Sequence, residues 1–319
     1  MTPASFTPAL LLGFALEAAI GWPAALYRRI GHPVTWIGAA ISTLDRKLNK
    51  EAASPARRKA AGVLCLLLVV GAAAACALIA EAALPSGWRG QVLGALLAWP
   101  FIAARSLHSH VVAVAAPLKA GDLEAARRAC AIIVGRDVQN LDEGGVARAA
   151  LESLSENASD GVIAPLFWGA LAGLPGLAGY KALNTLDSMI GHRTPRHEAF
   201  GWASARADDL ANFFPARLTA LLFALAARKR AAALSVACRD ARAHRSPNAG
   251  WPESAFAGAL GLRLSGPRAY AGRVNDEPWL NASGRDPVAA DLFLGLALYR
   301  RAMVLAAALL ALLAAARFA

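Results

Sequence analysis

The sequence predicts an all-α, polytopic integral membrane helical bundle, with amphipathic and re-entrant helices and cytoplasmic loops that carry the site. Three observations predict it. Of 319 residues, 57% are hydrophobic and 17% charged, at a mean hydropathy of +0.42; soluble domains run near about 45–50% and about 25%. The apolar excess is mostly Ala and Leu, both strong helix formers, and aromatics are 7%; an outer-membrane barrel is disfavoured on that ground. The apolar residues also come in long runs, separated by polar, motif-dense stretches. Disorder and an ordinary soluble enzyme are disfavoured by the same composition.

The chain reads as a single membrane-embedded domain over 1–319. Its first apolar stretch, about 8–26, has no Lys or Arg before it. It lacks the basic n-region of a signal peptide and is expected to be retained as a membrane helix, weakened by Glu17 and Pro23. A basic stretch follows, with Arg28, Arg29, Arg46, Lys47, Lys50, Arg57, Arg58 and Lys59 against Asp45 and Glu51. The clearest span is 61–84, charged only at Glu81 and longer than the roughly 20 residues a bilayer needs. A Pro85-Ser86-Gly87 turn leads to a third span at 91–113. The basic excess before 61–84, against Arg89 alone after it, places the 28–59 loop on the cytoplasmic side.

Residues 119–160 are polar and amphipathic with helical spacing. The apolar segment 161–180 carries Pro165, Pro175 and several glycines, so it is expected to be kinked or re-entrant. The apolar segment 216–227 is too short for a comfortable span. A last span is expected at 299–316. If the two weak segments are re-entrant, the three polar regions around them all meet on the cytoplasmic face of the inner membrane. The balance of 33 Lys+Arg against 22 Asp+Glu, +11 overall, suits loops beside anionic lipid first and anionic substrates second. Nucleic acid is not indicated.

Four polar constellations could carry chemistry. Arg136 and Asp137 precede Arg148, Glu152, Glu156, Asn157 and Asp160. On one helix Glu152, Glu156 and Asp160 share a face, with Arg148 one turn before Glu152. The plain reading is a solvated face with an Arg148–Glu152 pair; the functional one is a Mg²⁺ site, since carboxylates at membrane depth need a partner. Asn184, Asp187 and Ser188 put an amide, a carboxylate and a hydroxyl on one face. Arg206, Asp208, Asp209, Asn212 and Arg217 read as an ion-pair network or as metal and phosphate contacts, because adjacent carboxylates repel unless a cation sits between them. Ser246-Pro247-Asn248-Ala249-Gly250-Trp251-Pro252-Glu253 makes a structured turn that could hold Asn248 and Glu253 rigidly.

The six histidines show no metal spacing, and His32 and the others read as structural. There is no P-loop, no nucleophile elbow and no kinase signature. Cys65, Cys76, Cys130 and Cys238 form no CxxC pair and read as small buried hydrophobes.

The runs GRDVQNLDEGGVARAALESLSENASDGVIAPLFWGALAG, YKALNTLDSMIGH, FGWASARADDLANFFPARLTALL and HRSPNAGWPESAFAGALGLRL, with the earlier HPVTWIGAAISTLDRKL, resemble the CobD/CbiB family of adenosylcobinamide-phosphate synthases in collinear order over about 30–275. Glu17 and Gly21-Trp22-Pro23 depart from the family pattern, as do Ser155 and Ser265, the latter standing where a Gly is usual. The resemblance implies a carbon–nitrogen ligase of cobalamin biosynthesis. It would join adenosylcobyric acid to (R)-1-aminopropan-2-yl phosphate or aminopropanol, using ATP with Mg²⁺, beside other membrane-associated enzymes of the pathway.

That chemistry gives the residues candidate roles. Glu152, Glu156, Asp187 and Asp209 are the catalytic candidates. Glu152, Glu156, Asp160 and Asp208 are the metal candidates, and which of these acids binds metal and which acts as base stays open. Arg136, Arg206 and Arg217 would clamp phosphate. Asp137, Asn157, Asn184, Ser188, Ser246, Asn248 and Glu253 would orient the corrinoid or the aminopropanol phosphate. The competing reading is a non-enzymatic membrane sensor or corrinoid-binding scaffold, like the distantly related AmpE proteins. A transporter would more often show two matching halves, and none is seen.

Overall fold

The computed structural model describes residues 3–270 and 273–317. Among the described residues, four helical runs are long and apolar enough to cross a membrane: Pro55–Ala82, Trp88–Lys119, Glu143–Ile190 and Ala289–Ala316; there are up to six spans if two bent helix pairs each count as one. The chain divides into two compact units, each assembled from separate stretches.

The first unit holds Met1–Ala103, Ala164–Asn212 and Leu309–Ala319. Helix α1 (Pro3–Ile20) ends well before residue 26, at Gly21 with φ +61°. The chain then turns by 111° into α2 (Ala24–Ile30) and α3 (Pro33–Leu48). Gly21 and Pro23 end the helix. His32 proves to be the N-cap of α3: its Nδ1 accepts the Val34 N–H at 3.2 Å, and the Thr35 hydroxyl oxygen accepts the His32 N–H. Helix α4 (Pro55–Ala82) starts on a Ser54 cap with Pro at its first position.

Helix α4 shows how the apolar excess is used. Leu64, Leu67, Leu68, Leu78 and Ile79 are exposed, a face suited to lipid tails. The inward stripe is Gly62, Cys65, Val69, Ala77 and Glu81. Small residues let helices approach where lipid removes the hydrophobic drive between them. Cys65 and Val69 join Ile41 of α3 with Ala182, Leu186, Ile190 and Phe200 in one buried cluster. Cys76 is exposed, as is Cys238, so only Cys65 and Cys130 behave as small core residues.

Helix α5 (Trp88–Ala98) runs into a tight 3₁₀ turn, Trp99–Phe101, at Pro100. Helix α9 (Ala164–Ile190) is two helices joined at a break, with Ala172 and Gly173 outside helical geometry. The expected kink in 161–180 is therefore real and lies just before Pro175. Gly173 has φ +69° and ψ −159°, a region open almost only to glycine. A Cβ there would lie 2.7 Å from Glu81 Oε2. That carboxylate accepts the Leu174 N–H at 3.1 Å. Glu81, 3% exposed, thus caps the second half of the broken helix and meets the positive end of its dipole. Helix α10 (Trp202–Ala211) completes this unit.

The second unit holds Ala104–Ile163 and Phe213–Ala308. It contains α6 (Ala104–Lys119), α7 (Leu123–Cys130) and α8 (Glu143–Ala158), the last capped by Asp142, whose Oδ1 accepts the Gly145 N–H at 2.7 Å. A π turn, Ser159–Ile163, continues α8. Helices α11 (Phe213–Ala226), α12 (Arg230–Asp240) and α13 (Gly250–Leu260) pack together, with Phe223 edge-on to Phe256 at 4.8 Å. Two minimal antiparallel pairs follow, β1 (Leu264–Ser265) with β4 (Trp279–Leu280) and β2 (Arg268–Tyr270) with β3 (Arg273–Asn275). Helix α14 (Ala289–Ala316) begins ten residues before the expected span, because Asp291 closes its first turn by accepting the Val288 N–H at 2.8 Å.

Gly173→Ala should lower the thermal midpoint in detergent by several degrees, since both the backbone angle and the Cβ contact are unfavourable, each worth about 1–3 kcal/mol. Gly71→Ala, at a helical position of α4 with open space around its Cβ, is the comparison, and equal midpoints for Gly173→Ala and the parent would exclude this account of the break.

Candidate functional site

In the first unit the polar residues of α9 and α10 form one connected group. The Tyr180 hydroxyl donates to Asn212 Oδ1 at 2.8 Å, and Asn212 Nδ2 donates to Asp208 Oδ2 at 2.8 Å. Asp208 is 8% exposed, and its Oδ1 has no hydrogen-bond partner. Asp187 and Asp209 lie close enough for their charges to act on Asp208, and Asn184 lies beside it. Their spacing explains this: Tyr180, Asn184 and Asp187 are on successive turns of α9, and Asp208 and Asn212 are i,i+4 at the end of α10.

Gly191 makes room for the group. A Cβ there would fall 1.9 Å from Asp187 Oδ1, which is why Gly follows α9 immediately. Ser188 is exposed and donates to the Asn184 carbonyl. Arg206 pairs with Asp209 at 3.6 Å, its side chain 63% exposed, so this contact is worth little. Arg193 also acts on Asp209, and His192 on Asp187.

In the second unit the acids of α8 have separate fates. Glu152 binds Arg136 at 2.9 Å, with both side chains more than nine-tenths buried, and its Oε1 accepts the Ser265 N–H at 2.7 Å. Ser265 is held at φ +62°, a conformation that favours Gly. Arg148 does not pair with Glu152 as the i,i+4 spacing suggests. It reaches Asp286 at 3.1 Å and lies over the Trp279 ring at 4.8 Å. Arg263 covers Trp279 at 4.5 Å and pairs with Asp286 as well. Arg263 holds the Asp286 carboxyl below the usual carboxylate range.

Glu156 and Asp160 are half-buried. The regular stripe stops before Asp160, because the π turn that starts at Ser159 changes the spacing. Asn157 is exposed and donates to the Ser153 carbonyl at 2.9 Å; Asp137 is also exposed. Burial pushes the Cys130 thiol up to about 11, so it stays protonated and is no nucleophile.

The 244–253 turn is built around Arg217. Ser246 Oγ accepts the N–H of Asn248 and of Ala249 at 3.3 and 3.1 Å. The Ser246 N–H donates to His244 Nδ1 at 3.0 Å, so the neutral ring carries its proton on Nε2, 3.7 Å from Glu253 Oε1. The turn thereby presents Asn248 Oδ1 to Arg217 at 3.3 Å. The Arg217 guanidinium lies 3.6 Å from the Phe213 ring centroid and 4.8 Å from that of Trp251, an arrangement in which Arg stacks well.

The chain is similar to known proteins over most of its length. The family model described as CobD/Cbib protein matches residues 10–299. The chain is 62% identical over 299 residues to the cobalamin biosynthesis protein CobD of Rhodobacter capsulatus, covering 94% of each chain. It is 48% identical over 307 residues to that of Brucella suis, covering 93% of each. The chain belongs to the CobD/CbiB family. No solved structure matches it.

For a CobD/CbiB protein Mg²⁺ is an expected companion. Among the described residues, no three of His, Cys, Asp and Glu converge as a ready-made metal cage. Of the expected metal set, Glu152 is committed to Arg136 and Ser265, and Asp208 lies in the first unit beside Asp187 and Asp209. Beside Asp187 and Asp209, Asp208 keeps one buried carboxylate oxygen without a hydrogen-bond partner. Mg²⁺ needs only one or two carboxylates when substrate phosphates and water supply the rest. Tyr180 and His244 were not singled out in the sequence, and both prove to position site residues. The signal for Tyr180 was its place one turn before Asn184.

Glu152→Gln alone leaves Arg136 buried without its counter-charge, a loss of about 3–5 kcal/mol for a buried pair. The double change Arg136→Gln/Glu152→Gln should recover much of it, because Gln still accepts the Ser265 N–H. Thermal midpoints of the two variants test this; equal losses would contradict it. The Asp286 contribution is full above the ordinary carboxylate range and is lost as pH falls through its lower folded value. Asp286→Asn at neutral pH should therefore leave the 262–286 loop as susceptible to proteolysis as acid leaves the parent.

Proposed function

We propose that this chain is the amide-forming ligase of cobalamin biosynthesis, joining the free carboxylate of adenosylcobyric acid to the amine of (R)-1-aminopropan-2-yl phosphate with ATP. Its curated relatives are named cobalamin biosynthesis proteins, and the ligase reading is carried by the unpartnered oxygen of buried Asp208 in its three-carboxylate group. A carboxylate and an amine do not condense unaided. The corrinoid carboxylate oxygen attacks the terminal phosphorus of ATP and ADP leaves. The amine then attacks the acyl carbon, phosphate leaves, and the amine proton passes to a carboxylate base.

Asp208 and Asp187 would hold the Mg²⁺ that accompanies the nucleotide; when bound, that ion supplies charge neutralisation for the transferring phosphoryl group. Asp209 would take the amine proton, with Arg206 beside it to limit the charge change. Arg217, stacked between aromatic rings and aimed by Asn248, would hold a phosphate or carboxylate of the substrate. Asn184 and Ser188 would meet the amide-rich periphery of the corrinoid. Arg136 and Glu152 hold loops and take no direct part.

Purified protein in liposomes would be given adenosylcobyric acid, (R)-1-aminopropan-2-yl phosphate, ATP and Mg²⁺, and the corrinoid followed by mass spectrometry. The expected result is the mass of the amide, absent without ATP. Asp208→Asn should reduce the rate by about a hundredfold or more, the range for one electrostatic or acid–base group, with membrane insertion intact. Product formation at the parental rate would remove Asp208 from the centre, and no product with the parent would count against the ligase.

A further inference from the structure

In the first unit, the turn between the two carboxylate-bearing helices is gripped by residues that the proposed reaction leaves unused. Residues 191–201 run from the end of α9, which carries Asp187, to the start of α10, which carries Asp208 and Asp209. The Gly191 N–H donates to the Asp187 carbonyl at 2.8 Å. A Cβ on Gly201 would fall 1.7 Å from the Ile190 carbonyl oxygen, so the turn closes on its own beginning. Within it the His197 N–H donates to the Thr194 carbonyl at 3.0 Å, and the Gly201 N–H to that of His197 at 2.6 Å. The turn also lies hard against α4. A Cβ on Gly62 would fall 1.8 Å from the Phe200 carbonyl oxygen, and Phe200 belongs to the buried cluster with Ile41 and Cys65.

The tip of the turn is held from the end of α3 and the start of α4. Asp45 Oδ2 accepts from Nε and Nη2 of Arg196 at 3.2 and 2.8 Å. Its Oδ1 accepts from Asn49 Nδ2 at 2.8 Å and lies 3.6 Å from His197 Nε2. Asn49, 3% exposed, also donates to the Arg196 carbonyl at 3.0 Å and accepts from Arg58 Nε at 2.9 Å. Arg58 in turn donates to the same Arg196 carbonyl. Glu51 reaches Arg196 as well, at 3.0 Å, but its side chain is 71% exposed against 13% for that of Asp45. A surface pair of that kind is worth little, so Asp45 is the centre of the clasp.

We propose, on the ligase reading above, that Asp45 is a positioning residue for the Asp187, Asp208 and Asp209 group: by holding Arg196 and His197 it fixes the turn that sets the start of α10 against the end of α9. Connecting turns are ordinarily the most mobile part of a fold. This one joins helices whose carboxylates repel one another, and release of its tip would let the helix ends move apart. The Arg196 fork on Asp45 fixes direction as well as distance, which a single hydrogen bond or a lysine does not. Asn49 and Arg58 hold the backbone of the same residue, so side chain and main chain are fixed together. A reactive group is kept in place by supporting residues of this kind, whose own positions are over-determined.

The test compares full-length D45N, R196Q and E51Q with the parent in liposomes. Backbone hydrogen exchange without any substrate reads the turn and α10 directly. The corrinoid amide assay, run well below the lowest thermal midpoint of the set, reads kcat and the KM for adenosylcobyric acid. D45N and R196Q should exchange faster from 191 through 209. Their kcat should fall by about ten- to a hundredfold, as a misplacement of reacting groups by about 1 Å can cost, with KM unchanged. E51Q should match the parent in both readouts. Faster exchange in D45N with parental kcat would overturn the proposal, because the clasp would then be structural only. Faster exchange at 191–198 alone, or nowhere, would overturn it whatever the activity. A parent that forms no amide would count against the ligase instead, and exchange at 202–209 would still decide whether Asp45 holds α10. D45N and R196Q lie on opposite sides of the clasp, so misfolding of one leaves the test with the other.

Discussion

A carboxylate taken out of water must find its counter-charge or its donors inside the protein, and most of this molecule's organisation follows from how each buried acid does so. Glu81 takes the Leu174 N–H and so permits a broken helix within an apolar stretch. Glu152 takes Arg136 and the Ser265 N–H, pinning two loops to α8. Asp291 takes both arms of Arg285 at 2.6–2.7 Å and the Val288 N–H, fixing where α14 begins. Glu81 and Glu152 each join segments far apart in sequence, Asp291 closes a local turn, and in each case the cost of leaving the acid unpaired makes the alternatives expensive.

The helical class was legible because apolar length and composition are local properties. The break in α9 was legible for the same reason: Pro175 and the glycines announce it. What was not legible is partner choice. The i,i+4 spacing of Arg148 and Glu152 suggests a pair, yet Arg136 takes Glu152 and Arg148 turns to Asp286 and Trp279. Spacing states which side chains could meet; burial decides which do, because a buried acid gains more from a buried arginine than from one held near solvent. The stripe through Asp160 failed for a related reason, since a π turn is set by packing and has no simple residue signature.

The 244–253 turn was legible as a turn but not as a device. Its purpose depends on Arg217, about thirty residues earlier, and on the stacking of that guanidinium between Phe213 and Trp251. His244 reads as an isolated histidine in the sequence; in the fold it aligns Ser246, which aligns Asn248, which meets Arg217. A chain of hydrogen bonds of this kind polarises each member in turn and fixes the end group more tightly than packing alone.

Asp208 and Glu152 are both buried acids next to motif residues, and the sequence does not distinguish them. Their hydrogen-bond capacity does. Each oxygen of Glu152 already has a strong partner, so adding a cation or a proton there would break contacts that hold two loops. Asp208 spends one oxygen on Asn212, itself held by Tyr180, and keeps the other unpartnered beside Asp187 and Asp209. Folding alone would not favour three like charges around an unpartnered oxygen, because the arrangement raises the energy of the empty protein. It becomes favourable only when a positive ligand or a proton enters.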